Sequence, residues 1–116
     1  MERSYKKLIV WQKADELAYQ IYLATKSFPK EEIYGVTSQI RRAALSVPTN
    51  IAEGTGRQNK GEFKQFLNIA LGSIAEVDYL LHFSARLGYL QQDEEKCLSL
   101  LQNDVSALLW KLYKSI

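Results

Sequence analysis

Apolar side chains recur every three or four residues along most of the chain, the spacing that puts them on one face of an α-helix. The series Trp11, Ala14, Leu17, Ala18, Ile21, Tyr22, Thr25 and Phe28 keeps that step, and Pro29 ends it. A residue before proline is driven out of the α region, so a first helix is predicted over about residues 8–28. A second starts after Gly35, with Thr37 or Ser38 as N-cap, and covers 36–53 with Ile40, Ala44, Val47 and Ile51 as its buried face. Pro48 lies inside it and removes the bond to the carbonyl of Ala44, which predicts a bend or break near Ser46. Gly54 and Gly56 read as its stop. A third helix, 60–87, opens on Asn59 and Glu62 at capping-box spacing and stops at Gly88. It carries Phe63, Phe66, Leu67, Ala70, Ile74, Val77, Leu80, Leu81 and Leu87 at helical period. The fourth, 92–115, has Leu98, Leu101, Val105, Leu108, Leu109 and Leu112 as its stripe. Connections of about four to eight residues place successive helices antiparallel. The pattern therefore predicts an all-α, antiparallel up-and-down four-helix bundle with a proline-bent second helix.

Composition narrows the classes without changing that architecture. At 116 residues, 47% apolar and 24% charged, the chain suits one domain, 1–116, with a single core, and neither disorder nor low complexity. Its lone cysteine, Cys97, has no partner for an internal disulfide and reads as a small apolar filler. No basic start, apolar stretch and small-residue cleavage site marks a signal peptide, so a cytoplasmic location is expected. Charges interrupt every apolar segment well short of a bilayer span, so no membrane is expected as partner.

Charge changes the picture more than composition does. The net value of +2 conceals two segments of +3 each, residues 1–13 and 36–64, offset by acidic stretches elsewhere. Arg3, Lys6, Lys7 and Lys13 oppose Glu2 in the first; Arg41, Arg42, Arg57, Lys60 and Lys64 oppose Glu53 and Glu62 in the second. Arg41, Arg42, Arg57, Lys60 and Lys64 are the candidate contacts to a phosphate backbone, through Arg forks and Lys point charges. The competing reading is ordinary solubilising charge. Lys111 and Lys114 suit the negative end of the fourth helix.

The second helix also carries a wholly polar line, Gln39, Arg42, Ser46, Asn50, Glu53 and Arg57, on a face of its own. A solvated surface would explain it, but Ser and Asn are poor helix-interior residues that bond to nearby backbone. Gly72 and Ser73 in the third helix form a small pair that would permit close approach, with Glu76 one turn on. Gln39, Ser46, Asn50, Glu53, Ser73 and Glu76 are accordingly read as a structural polar network between the two helices, with an Arg balancing the carboxylates. An acid and base couple of Glu53 and Glu76 is the enzymatic alternative. No metal set is found: the one histidine, His82, has Tyr79 where a carboxylate bundle site needs Glu. Gly54, Gly56 and Gly61 lack the Gly-Lys-Ser/Thr ending of a phosphate loop, and no nucleophile stands beside a base. The expectation is a protein without catalytic residues or cofactor. Leu100 and Trp110 on the fourth helix and Tyr19 and Leu23 on the first lie off their stripes, which points to self-association.

The run Tyr34-Gly35-Val36-Thr37-Ser38-Gln39-Ile40-Arg41-Arg42-Ala43-Ala44, then Ser46-Val47-Pro48-Thr49-Asn50-Ile51-Ala52-Glu53-Gly54 and Ala70-Leu71-Gly72-Ser73-Ile74-Ala75-Glu76, resembles the four-helix bundle proteins encoded within intervening sequences of bacterial 23S ribosomal RNA genes, the S23 ribosomal protein-like family. The likeness extends from Leu8 into the fourth helix. It implies an up-and-down bundle, a homopentameric ring with basic surfaces and no known enzymatic activity. It also implies a fold similar to that of accessory proteins of diversity-generating retroelements, which pair with a reverse transcriptase and bind nucleic acid. The function expected is non-enzymatic, oligomeric binding of RNA, or of DNA, with rRNA association implied by the family. The alternative is an oligomeric scaffold that recruits a partner enzyme and touches no nucleic acid.

Overall fold

The computed structural model describes residues 5–116. Four helices follow in chain order, α1 (Ile9–Ala24), α2 (Val36–Thr55), α3 (Lys60–Arg86) and α4 (Gln92–Ser115), with no strand among the described residues. Single 3₁₀ turns occupy Tyr5–Lys7, Thr25–Ser27 and Lys30–Glu32. Each helix packs on the next and α1 packs on α4, which closes an all-α, up-and-down bundle 45 Å long and 24 by 21 Å across. The apolar stripes face inward: Leu17, Ile21, Ile40, Val47, Ile51, Leu67, Ile74, Leu81, Val105 and Leu109 are sealed from solvent.

Helix ends depart from the sequence reading, each for a local reason. The α-helical part of α1 stops at Ala24 rather than Phe28, and a 3₁₀ turn follows. The Thr25 hydroxyl returns to the carbonyls of Ile21 (2.8 Å) and Tyr22 (3.2 Å), competing with the regular ladder. Phe28, extended before Pro29, is buried and meets the Tyr89 ring at 5.2 Å. The N-cap of α2 is Gly35, not Thr37 or Ser38; Oε1 of Glu32, from the preceding turn, accepts the Val36 N–H at 3.3 Å. No break occurs at Ser46, and α2 runs continuously across the buried Pro48. Thr49 donates to the Leu45 carbonyl and Asn50 to the Ser46 carbonyl, both at 2.8 Å, so side chains brace the turns around the missing bond.

Gly54 does not stop α2 but lies inside it. A Cβ there would sit 2.7 Å from Cδ1 of Phe63 and 3.1 Å from Cβ of Phe66, so the glycine exists for the close approach of α3. Asn59 caps α3 as expected, its Oδ1 accepting from Gly61 N (2.7 Å) and Glu62 N (3.2 Å). At the other end Gly88 has φ +80°, with Gly88 N bonded to Ala85 O and Tyr89 N to Ser84 O, a Schellman closure. Leu87, expected in the core, is exposed because this closure carries it past the last packed turn. Glu94 Oε1 accepts the Gln91 N–H at 3.0 Å and starts α4. Cys97 is exposed rather than a core filler, since it sits on the side of α4 away from Leu98 and Val105. Among the described residues, no helix is long and apolar enough to cross a membrane.

Candidate nucleic-acid interface

The up-and-down path brings the start of α1, the end of α2, the start of α3 and the end of α4 to one end of the bundle. The Tyr5–Lys7 turn packs against α1 and α2, and Lys64 Nζ lies 4.6 Å from the centre of the Tyr113 ring, joining the start of α3 to the end of α4. Among the described residues, Lys6, Lys7, Arg57, Lys60, Lys64, Lys111 and Lys114 therefore share this end, with Glu53 and Glu62 as the carboxylates on the adjoining turns of α2 and α3. Aromatic rings hold several of these cations: Arg57 lies over Phe66 at 4.7 Å and Lys114 over Trp110 at 5.8 Å. Arg3 and Glu2 lie outside the described residues. At the opposite end Glu31, Glu32, Asp93, Glu94 and Glu95 stand among Lys26, Lys30, Arg41, Arg86 and Lys96, so the charges there are close to balanced.

The five basic residues singled out from sequence do not form one group. Arg57, Lys60 and Lys64 come together, but Arg41 is about 24 Å away along α2. Its guanidinium is held by the end of α1: Nε donates to Thr25 Oγ1 at 2.8 Å, a terminal nitrogen to the Tyr22 carbonyl at 3.3 Å, and the plane covers the Tyr22 ring at 4.7 Å. Arg42, one residue on, points to the other side of α2, into a cleft against α3. Sequence reading missed Lys6, Lys7, Lys111 and Lys114 as neighbours of Arg57. The signal that finds them is the bundle topology itself, which fixes which chain termini share an end.

The polar line on α2 faces α3 and borders that cleft, a recess of about 400 Å³ lined by Gln39, Arg42, Ala43, Ser46, Ser73 and Glu76. Ser73 Oγ donates to Ser46 Oγ at 2.9 Å, and Asn50 Nδ2 donates to the same oxygen at 2.9 Å. Half-buried Ser46 and Ser73 thus form a hydrogen-bonded floor, with Asn50 bracing Ser46 from beside the recess. Gln39, Arg42, Glu53 and Glu76 are exposed and stand outside this hydrogen-bonded group. The one ion pair among the described residues is Lys13–Asp104, at 3.2 Å across α1 and α4, so no Arg balances Glu53 or Glu76. Gly72 does not serve helix approach either: a Cβ there would meet nothing within 4 Å. No group of three or more His, Cys, Asp or Glu able to hold a metal is found among the described residues. His82 is exposed on α3.

The sequence pattern of the 23S rRNA-intervening sequence protein family matches residues 6–111. The chain belongs to this family. A crystal structure of a protein with unknown function from the S23 ribosomal protein family, from Bacteroides thetaiotaomicron VPI-5482, is similar to it with a TM-score of 0.83 and 26% identity, covering 91% of this chain and 96% of that one. No match is found among curated proteins. The matched span of this 23S rRNA-intervening sequence protein takes in the polar cleft and every cation named at the basic end except Lys114.

Proposed function

We propose that the protein is a non-enzymatic, oligomeric nucleic-acid-binding protein that grips RNA, or DNA, through the basic end of its bundle. Arg57, Lys60 and Lys64 make the central phosphate contacts, flanked by Lys6, Lys7, Lys111 and Lys114. The observation that carries this reading is the gathering of these cations at one end, while acidic and basic residues nearly balance at the other. Such polarity attracts and orients a polyanion without reading its sequence. The family's link to 23S rRNA favours RNA, with rRNA the first candidate, in the cytoplasm.

Assembly supplies avidity. Tyr19, Leu23, Leu100 and Trp110, the apolar residues off the helix stripes, are all about half exposed or more. In a closed ring of five copies, the expected assembly, these side chains are buried and the basic ends repeat around an axis. The same exposed side chains favour the second reading, a ring that recruits a partner protein.

A fluorescently labelled fragment of 23S rRNA tests the proposal. Reversing three charges, Arg57→Glu, Lys60→Glu and Lys64→Glu, should weaken binding at least tenfold while the circular dichroism spectrum and assembly mass stay unchanged. An unaltered affinity in the triple variant overturns the assignment of the basic end, and no binding by the wild type at low salt overturns nucleic-acid binding itself.

A further inference from the structure

The cleft between α2 and α3 is chemically unlike the basic end. Its rim presents a guanidinium (Arg42), an amide (Gln39) and a carboxylate (Glu76), all exposed, and Arg42 and Glu76 do not pair with each other. Its floor, by contrast, is tied together: Ser73 donates to Ser46, which Asn50 braces from beside the recess. A recess with a rigid floor and unpaired donors and acceptors on its rim is arranged for a ligand that supplies complements to both. Phosphate does not fit, because the Glu76 carboxylate repels it.

Two further features lie on the same strip of α3 as Glu76. Gly72, one turn before, leaves bare helix backbone facing open space. Glycine in a helix interior costs about 1 kcal/mol relative to alanine, and no packing within the chain requires it here. Tyr79, one turn after Glu76, is 59% exposed, with its ring inclined 22° to that of Phe83 and 6.0 Å between centroids. An exposed, oriented aromatic ring beside hydrogen-bonding groups is a stacking platform for an unpaired base.

We infer that this cleft binds an unpaired guanine of a single-stranded nucleic acid. Guanine alone among the common bases offers two adjacent N–H donors, N1–H and N2–H, to one carboxylate, while its O6 and N7 accept from an Arg fork. Glu76 takes the donor edge, Arg42 the acceptor corner, and Tyr79 stacks on the ring face, with Gly72 leaving room for the plane. The cleft lies on the face of α2 that leads to Arg57, so a strand anchored at the basic end passes over it. This inference rests on the nucleic-acid reading and adds base selection to it.

The test uses fluorescein-labelled oligouridylate of twelve residues and the same strand with one central guanosine, bound to the full chain at equal salt. The guanosine strand should bind about tenfold more tightly. Glu76→Gln should reduce that ratio to near unity, and Gly72→Leu, whose Cβ meets no neighbour within 4 Å, should do the same while leaving thermal stability undiminished. Reversal of Arg57, Lys60 and Lys64 should weaken both strands and preserve the ratio. Equal binding of the two strands by the wild type overturns guanine selection while leaving the basic end intact, and marks the cleft for a protein partner. A ratio unchanged in both Glu76→Gln and Gly72→Leu places any selectivity elsewhere. No binding of either strand removes the nucleic-acid reading together with this one.

Discussion

Gly54 and Gly72 occupy superficially similar places, glycines within helices, and do opposite things. At Gly54 the missing Cβ is what lets Phe63 and Phe66 press against α2, so Gly54→Ala should lower stability by about 1–3 kcal/mol, read as a lower urea midpoint. Periodicity alone made Gly54 a helix stop, because the reason for it lies on another helix, nine residues and a turn away. Tyr89 carries a different residue-level consequence. Its hydroxyl donates to Glu32 Oε2 at 2.8 Å and ties the α3–α4 connection to the turn before α2. That hydrogen bond first, then burial and the charges of Glu32 and Glu31, raises the phenol above its ordinary value of 10.0. The folded chain thus keeps a proton that the unfolded chain releases from about pH 10 upward, so the stabilisation is complete below that pH and declines above it. Urea midpoints measured from pH 8.5 to 11 should fall more steeply in the wild type than in Tyr89→Phe; parallel curves would deny the bond this role.

At the scale of elements, the four helices and their core faces were legible because burial obeys the 3.6-residue period, and Ile40, Ala44, Val47 and Ile51 are each no more than 1% exposed. What was not legible came from interactions across elements. Glu32 capping α2, Thr25 shortening α1 and Arg41 docking on Tyr22 all join residues that no local window contains. The polar line on α2 was visible as a line; that only Ser46, Asn50 and Ser73 bond together, leaving Glu53 and Glu76 outside, depended on rotamers and helix offset. Asn59 was readable because a cap is local, and Asn59→Ala should cost about 1 kcal/mol, measured by chemical denaturation. Arg41 is engaged at the end opposite the basic cluster. Arg41→Met should therefore lower thermal stability while changing RNA affinity less than twofold; a loss comparable to that of Arg57→Glu would return Arg41 to the interface.

For the whole molecule, the decisive quantity is where charge sits after folding. A net +2 looks bland, and two separate +3 segments in sequence are ambiguous. Folding sorts them: the Tyr5–Lys7 turn and the α2–α3 connection share an end with the lysines of the last turns of α4, while Arg41 is held at the opposite end. Function on this account follows from topology acting on modest charge, multiplied by assembly. The most direct test is a salt titration of RNA binding by the wild type and by the variant reversed at Arg57, Lys60 and Lys64. Each phosphate contact to a single strand adds about 0.7 to the slope of log affinity against log salt. The wild type should lose affinity steeply as salt rises, and the variant should show a slope smaller by about 2. A wild-type affinity indifferent to salt, or identical slopes in the two proteins, would contradict phosphate binding by the basic end.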